Sequence, residues 1–238
     1  MDPRLATGRL VLISPHLDDA VLSLGALIGA APRSGARVEL LTVFAGNPAA
    51  TQAAGPWDRK SGFATAGEAA RQRRLEDQQA CALLGARAHC LSFGDEQYER
   101  GGDEASVLAA VAAIARGADT LLVPGFPLHN ADHAWLSRIL LAVTWPGSRI
   151  ALYAEQPYLY TARRSHSQPG TAPALAALLA RPPHWESVPY EAADRRLKHR
   201  AIRCYGSQLR QLGLSSFGLW RLLQHESRRG GETIAWLD

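Results

Sequence analysis

A short polar cluster interrupts an otherwise apolar stretch near the start of the chain. His16, Asp18 and Asp19 follow the apolar run 10–13, and a second apolar run begins at position 20. An imidazole and a carboxylate three positions apart share one face at the start of a helix, so both can reach the same ion. The cluster therefore indicates a divalent metal site of the kind that hydrolases use.

A second polar cluster lies much further along the chain. Asp132 and His133 follow a buried strand pattern at 120–124 and begin a helical pattern. In an open α/β sheet, ligands bind beyond the carboxyl ends of the strands, so His133 is expected to lie near His16 and Asp19. Two histidines and one carboxylate leave coordination positions open for water and substrate, which is typical of a catalytic zinc site.

Other interpretations of these residues remain open. Asp18 is also a candidate N-cap of the following helix, and His16 could satisfy backbone donors in the turn. Two histidines and a carboxylate also form the facial triad of non-haem Fe(II) oxygenases. A non-catalytic sugar- or nucleotide-binding module is a third hypothesis, against which stands the absence of a Gly-x-Gly-x-x-Gly loop after the first strand. The pairing of two clusters at two strand ends favours a hydrolytic metal site.

The composition is that of one globular domain over 1–238. The chain is 47% hydrophobic and 20% charged, which supports a large core without disulfides or a structural metal. Its net charge of +4 comes from scattered arginines without interleaved aromatic residues, so nucleic-acid binding is not expected. Three scattered cysteines and no apolar run long enough for a membrane span indicate a cytoplasmic setting. The sequence carries no signal for the oligomeric state.

Strand and helix patterns alternate along the chain. Strands are expected over 10–14, 37–44, 88–93, 120–124, 149–153, 184–189 and 233–237, and helices over 18–31, 68–84, 104–116, 132–145, 192–212 and 217–225. The alternation predicts an α/β, Rossmann-like fold, with a mostly parallel sheet and helices on both faces. Segments 45–66 and 157–183 are expected to be long loops that shape substrate binding.

The motifs resemble those of one enzyme family. The run Ser-Pro-His-Leu-Asp-Asp-Ala at 14–20 is similar to the Pro-His-Pro-Asp-Asp-Glu signature of the PIG-L/LmbE-like zinc-dependent N-deacetylases. Asn-Ala-Asp-His at 130–133 resembles their His-Pro-Asp-His. Further stretches within 73–85, 93–95, 155–158 and 198–208 resemble the family in the same order. The resemblance implies hydrolysis of an N-acetyl group from an N-acetylglucosamine-type amino sugar or glycoconjugate, a small-molecule substrate.

The resemblance also implies roles for individual positions. His16, Asp19 and His133 would hold one divalent metal, Zn²⁺ in the first instance and Fe²⁺ as the alternative. Asp18 would act as the general base on a metal-bound water and later deliver the proton to the departing amine. This assignment makes the chain an amidohydrolase whose only cofactor is the metal.

Two positions depart from the family pattern. The glutamate after the paired aspartates is replaced by Ala20, which removes one hydrogen-bonding group near the metal ligands. The first histidine of His-Pro-Asp-His is replaced by Asn130, while His129 lies one position earlier. Either side chain could assist at the oxyanion or the leaving group, and His129 is favoured because an imidazolium can also stabilise a developing negative charge.

Two further positions are candidate substrate contacts by the same resemblance. Arg73 corresponds to an arginine that contacts substrate, and Asp95 to a carboxylate that holds sugar hydroxyls. Each also has a structural interpretation. Arg73 could pair with Glu76 on a solvated helix face, a contact worth only about 0.3 kcal/mol, and Asp95 could stabilise a turn.

Overall fold

The described residues are organised around one seven-stranded sheet. The computed structural model describes residues 2–161 and 169–237. Within these residues the strands are β1 (Arg9–Ser14), β2 (Arg37–Thr42), β3 (Arg87–Cys90), β4 (Thr120–Phe126), β5 (Arg149–Ala154), β6 (Glu186–Val188) and β7 (Glu232–Trp236). Their order across the sheet is β3-β2-β1-β4-β5-β7-β6.

Parallel pairing dominates the sheet. Strands β1 to β5 are all parallel, whereas β7 runs antiparallel to its neighbours β5 and β6. The strand order changes direction between β1 and β4, which lie side by side although they are distant in sequence. This topological switch point is where Rossmann-like sheets bind ligands, so the loops after β1 and β4 are the first place to look for a site.

Helices cover both faces of the sheet. They are α1 (Pro3–Ala6), α2 (Asp19–Ala30), α3 (Pro56–Lys60), α4 (Ala66–Leu84), α5 (Glu104–Ala115), α6 (Ala131–Leu141), α7 (Tyr158–Thr161), α8 (Ala192–Ile202), α9 (Gly206–Leu209) and α10 (Ser216–Arg228), with 3₁₀ turns at Ala31–Ser34 and Pro173–Leu175. None of the helices in the described ranges combines the length and apolarity needed to cross a membrane.

The central strand β1 shows why both faces are covered. Leu10 and Leu12 pack into a core with residues of α2, α4, α8 and α10, whereas Val11 and Ile13 pack into a second core with residues of α5 and α6. All four side chains are completely buried. Because successive strand residues point to opposite faces, a continuous apolar run requires a helical layer on each side. The predicted α/β, Rossmann-like architecture is confirmed.

The helix predicted over 192–212 is wrong in its continuity, because α8 ends at Ile202 and α9 begins at Gly206. Tyr205 leaves the helical conformation between them, with φ −83° and ψ 51°. Its buried hydroxyl donates to Asp77 on α4 at 2.7 Å. This tertiary hydrogen bond overrides a helical periodicity that continues through the break.

Other predicted boundaries also shift. The segment 45–66, predicted as a loop, contains α3 and an isolated bridge between Ala53 and Thr65. The helix predicted to reach 145 ends at Leu141, and the indole of Trp145 donates back to the carbonyl of Leu140 at 2.9 Å. The segment predicted over 157–183 contains α7 and a 3₁₀ turn, and positions 162–168 lie outside the described residues.

Helix α2 is kinked. Leu24 has φ −126° and ψ 21°, which interrupts the regular backbone hydrogen bonds. The N–H groups of Ala26 and Leu27 instead donate to the two carboxylate oxygens of Glu232 on β7, each at 2.8 Å. A side chain from the far end of the chain thus supplies the acceptors that the kinked helix lacks.

The buried side chain of Lys198 also takes part in this contact between α2 and β7. The ammonium of Lys198 on α8 lies 2.7 Å from Glu232 and 2.9 Å from Glu226, and all three side chains are buried. A Cβ atom at Gly25 would lie 2.8 Å from Cγ of Lys198, so only glycine lets the lysine cross α2 at this point. The contact fixes the helix whose first residue is Asp19.

Candidate metal centre

Three side chains from two strand ends converge at the switch point. Nδ1 of His16 lies 3.3 Å from Oδ2 of Asp19, and Nε2 of His133 lies 3.2 Å from the same oxygen. The two imidazole nitrogens are 3.0 Å apart. Ligands at 2.0–2.2 Å from a tetrahedral zinc lie roughly 3.4 Å from one another, so the three atoms fit one ion. Among the described residues, this is the one group of His, Cys, Asp and Glu side chains with such spacing.

The inner candidate ligand, His133, is held by a buried carboxylate. Nδ1 of His133 makes a short hydrogen bond to Oε1 of Glu155, and the other oxygen of Glu155 accepts from the backbone N–H of Leu128 at 3.0 Å. Both His133 and Glu155 are completely buried. Burial opposes protonation of His133, but the negative charges of Asp19 and Glu155 outweigh it and raise the pKa of the imidazole. Once Nε2 has lost its proton, the proton that Glu155 keeps on Nδ1 leaves the lone pair of Nε2 for a metal.

The outer candidate ligand, His16, is held by a different carboxylate. Nε2 of His16 lies 3.2 Å from Oδ2 of Asp132, which leaves Nδ1 facing Asp19 and His133. Burial again opposes protonation, but hydrogen bonds to Asp132 and Asp19 raise the pKa of His16 to about 9. The ring therefore does not satisfy backbone donors, and each histidine presents one nitrogen to the centre while a carboxylate binds the other.

Asp18 has the environment of a general base. It occupies the N-cap position of α2, yet its carboxylate makes no capping hydrogen bond. The side chain instead lines the cavity beside the metal ligands. Burial and the adjacent charge of Asp19 raise the pKa of Asp18 to about 7. A carboxyl group with such a pKa can both accept and return a proton near neutral pH.

A cavity of about 430 Å³ opens over the converging ligands. The predicted substrate segment 45–66 contributes part of its wall, including Trp57 and Asp58. The indole of Trp57 donates to Gln208 of α9 at 3.0 Å, which ties this wall to the C-terminal part of the chain. In the described part of the wall the acidic side chains are Asp18, Asp19, Asp58, Asp95, Glu96 and Glu99, against one arginine, Arg73.

The two candidate substrate contacts both lie in the cavity wall. Arg73 forms an ion pair with Asp58, not the predicted pair with Glu76, whose carboxylate accepts from Ser207. Asp95 accepts from the backbone N–H of Gln97 at 3.0 Å, so it stabilises a turn and still faces the cavity. Position alone therefore allows both side chains to contact a substrate.

The two candidates for the oxyanion role are placed differently. Asn130 lines the cavity, and its Oδ1 accepts from the backbone N–H of Asp132 at 2.7 Å. His129 is exposed, outside the cavity wall, with its ring edge-on to Tyr158 at 6.4 Å between centroids. Ala20 stands where the resembled motif has glutamate, and its backbone N–H donates to the hydroxyl of Ser14. That hydroxyl donates in turn to the carbonyl of His16.

Sequence reasoning missed the residues that support the two histidines. Glu155 follows β5 and lies at a third strand end, so the rule that located His16 and His133 could have identified it. Arg100, which donates to Asp132 at 2.6 Å, lies in an irregular loop without a periodic pattern. No local signal in the sequence points to it.

Comparison with known proteins decides the family. The PIG-L family model, described as GlcNAc-PI de-N-acetylase, matches residues 11–144, which is more than half of the chain. The chain belongs to the PIG-L family. The matched region contains the candidate metal ligands His16, Asp19 and His133 and both of the motifs that resemble the family.

Individual relatives of this PIG-L family chain are deacetylases. It is 33% identical over 172 residues to the 2'-N-acetylparomamine deacetylase of Streptomyces fradiae, a match over 65% of the chain and 59% of that relative's length. The A40926 pseudoaglycone deacetylase is 26% identical, with a TM-score of 0.78 over 97% of this chain and 96% of the other. The zinc-inhibited form of a teicoplanin deacetylase shares the fold, at 24% identity and a TM-score of 0.76 over 96% and 97% of the two chains.

Proposed function

We propose that this PIG-L family chain is a metal-dependent hydrolase that removes the N-acetyl group from an amino-sugar glycoconjugate. The observation that carries the proposal is the convergence of His16, Asp19 and His133 beside Asp18 in one cavity. The names of the paromamine and A40926 relatives support the same reaction class. The domain that performs it is proposed to be the whole chain.

His16, Asp19 and His133 would hold the metal, for which we propose Zn²⁺, with Fe²⁺ as the alternative. When bound, the metal supplies a Lewis acid that lowers the pKa of a coordinated water and polarises the amide carbonyl. The protein contributes the orientation of the ligands. Hydrogen bonds from the far ring nitrogens to Asp132 and Glu155 hold each imidazole in the tautomer that leaves a lone pair for the ion.

Asp18 would move the proton during hydrolysis. Its buried carboxylate accepts a proton from the attacking water, and the resulting carboxyl group returns it to the nitrogen of the departing amine. The raised pKa, about 7, keeps both directions accessible near neutral pH. Because the carboxylate makes no capping hydrogen bond, it can change protonation without weakening α2.

Asn130 is our candidate for stabilising the carbonyl oxygen as negative charge develops on it. Its Oδ1 is already engaged by the backbone of α6, so its Nδ2 is the atom left to donate. We assign this role to Asn130 in preference to His129, since Asn130 lines the cavity and His129 lies outside its wall. The sequence favours His129 only because an imidazolium can stabilise a developing negative charge.

The cavity wall favours a substrate that carries amino groups besides the acetylated one. Asp95, Glu96 and Glu99 lie together in the wall, and the positive charge of Arg73 is already paired with Asp58. The chain as a whole has a net charge of +4, so the wall is opposite in sign to the rest of the molecule. An aminoglycoside precursor of the kind named for the Streptomyces fradiae relative has the required positive charge.

The proposal is tested by metal analysis and acetate release with the purified chain. An N-acetylated aminoglycoside precursor and a neutral N-acetylglucosaminide are supplied in parallel, with metal-free protein as the control. We expect metal-dependent acetate release, faster with the cationic substrate. Turnover that requires oxygen and a 2-oxo acid and releases no acetate would instead establish the Fe(II) oxygenase alternative. Tight ligand binding without metal or turnover would establish a binding module.

A further inference from the structure

An arginine outside the cavity wall contacts two aromatic rings. The guanidinium carbon of Arg100 is 4.5 Å from the ring centroid of Phe44 and 4.4 Å from that of Trp135. Phe44 follows β2, and Trp135 belongs to α6, the helix that carries His133. The two ring centroids are 6.1 Å apart, so the rings lie on adjacent sides of the guanidinium, and contact with both of them restricts its orientation.

The edge of this guanidinium points at a carboxylate. Nη2 of Arg100 donates to Oδ1 of Asp132 at 2.6 Å. The other carboxylate oxygen accepts from the backbone N–H of Glu96 at 2.9 Å and contacts Nε2 of His16 at 3.2 Å. Oδ1 of Asp132 therefore accepts from Arg100, and Oδ2 contacts the candidate metal ligand His16.

The same aromatic ring also contacts the histidine. The centroid of Phe44 lies 5.8 Å from that of His16, with the two rings tilted by 44°. Phe44 thus contacts both Arg100 and His16, the two residues that Asp132 joins by hydrogen bonds. A lysine could place a charge at this position, but not a planar group that contacts both rings and donates from its edge to Asp132.

We propose that Arg100 is a positioning residue for the metal ligand His16 and acts through Asp132. By fixing one rotamer of Asp132, it keeps an acceptor against Nε2 of His16 and so keeps the lone pair of Nδ1 directed at Asp19 and His133. The inference rests on the metal centre of the proposed function. It adds a component to that centre that comes from a loop without any motif.

The experiment measures metal affinity, not turnover. Metal-free samples of the parent chain and of the R100M, R100K and D132N variants are titrated with Zn²⁺ against a chelator and with Co²⁺, whose visible spectrum reports ligand geometry. We expect R100M to weaken Zn²⁺ binding about 10-fold and to change the Co²⁺ spectrum, because methionine keeps an apolar contact with Phe44 and Trp135 but cannot donate to Asp132. R100K should recover part of the affinity. The matched control R221M removes another arginine near an aromatic ring, Phe217 on α10, and should leave the affinity unchanged.

A double-mutant cycle tests whether Arg100 works through Asp132. Replacing Arg100 by methionine in the D132N background should change Zn²⁺ affinity less than about 2-fold, because the acceptor it orients is already altered. An R100M affinity equal to that of the parent overturns the inference, as does a full additional loss in the D132N background. If R100M does not fold, R100K carries the comparison, and parent-like affinity with a parent-like Co²⁺ spectrum overturns the inference. A parent chain that binds no metal overturns the proposed function as well.

Discussion

The two histidines of the centre are supported in contrasting ways. His133 and its partner Glu155 are completely buried, and Glu155 is fixed in turn by the backbone N–H of Leu128. The side chain of His16 is 23% exposed, and its partner Asp132 depends on Arg100, a side chain that is 28% exposed. The inner arm, His133 with Glu155, is therefore built wholly into the core. The outer arm, His16 with Asp132 and Arg100, has a buried carboxylate between two partly exposed side chains. We expect changes to the inner arm to affect folding and metal binding together, and changes to the outer arm to affect metal binding mainly.

The largest effect is expected from removing the inner ligand. His133→Ala should reduce the metal content of the purified protein to background and abolish acetate release, because two remaining ligands bind a divalent ion weakly. Metal content is measured by elemental analysis. His184→Ala, which removes an exposed histidine far from the centre in sequence, is the control and should retain both properties. Stoichiometric metal in the His133 variant would remove this residue from the ligand set.

The second prediction concerns Asp18, the proposed general base, which belongs to neither arm. Asp18→Ala should retain metal and lower kcat by a factor of about 10² to 10⁴, the range for loss of a general base. Its thermal stability should not fall through loss of a cap, since Asp18 makes no capping hydrogen bond.

Asp103 provides the matched control for Asp18. It is also an N-cap aspartate, but its carboxylate accepts from the backbone N–H of Ser106 at 2.8 Å at the start of α5. Asp103→Ala should lower the melting temperature and leave kcat unchanged. A parent-like rate for Asp18→Ala would show that another group accepts the proton.

The third prediction compares the two arms directly. Glu155→Ala leaves the backbone N–H of Leu128 and the ring Nδ1–H of His133 buried without an acceptor. We expect this change to destabilise the fold by about 2–5 kcal/mol. Asp132→Ala should cost less, since its partners Arg100 and His16 are 28% and 23% exposed and can gain hydrogen bonds from water. Denaturant unfolding of the metal-free variants measures the difference. Equal losses would mean that the two arms do not differ in their contribution to folding.

The smallest effect is expected at the acidic wall. Glu99→Gln should raise KM for a cationic substrate a few-fold, on the order of one screened charge interaction, and leave KM for a neutral N-acetylglucosaminide unchanged. Added salt should reduce the difference between the parent and the variant. An equal change in KM for both substrates would show that Glu99 acts on the shape of the cavity rather than on substrate charge.

Much of the fold and of the centre follows from local patterns. The apolar run of β1 and the polar residues after β1 and β4 are continuous in sequence, and sheet topology brings the two clusters together. The supporting contacts do not follow from such patterns. The break at Tyr205 depends on a hydrogen bond to Asp77, 128 positions away, and the place of Arg100 depends on rings from two other segments. Interactions of this kind have no periodicity to detect.

The kinked helix α2 has a consequence for the order in which the chain folds. Two members of the candidate centre, His16 and Asp19, are synthesised long before the carboxylate that completes α2, which belongs to Glu232, 206 positions after Ala26. Until β7 has been synthesised and has joined the sheet, the N–H groups of Ala26 and Leu27 lack their acceptors. Folding of the helix that carries Asp19 is therefore coupled to the synthesis of β7, and the candidate centre cannot reach its final geometry before that strand is in place.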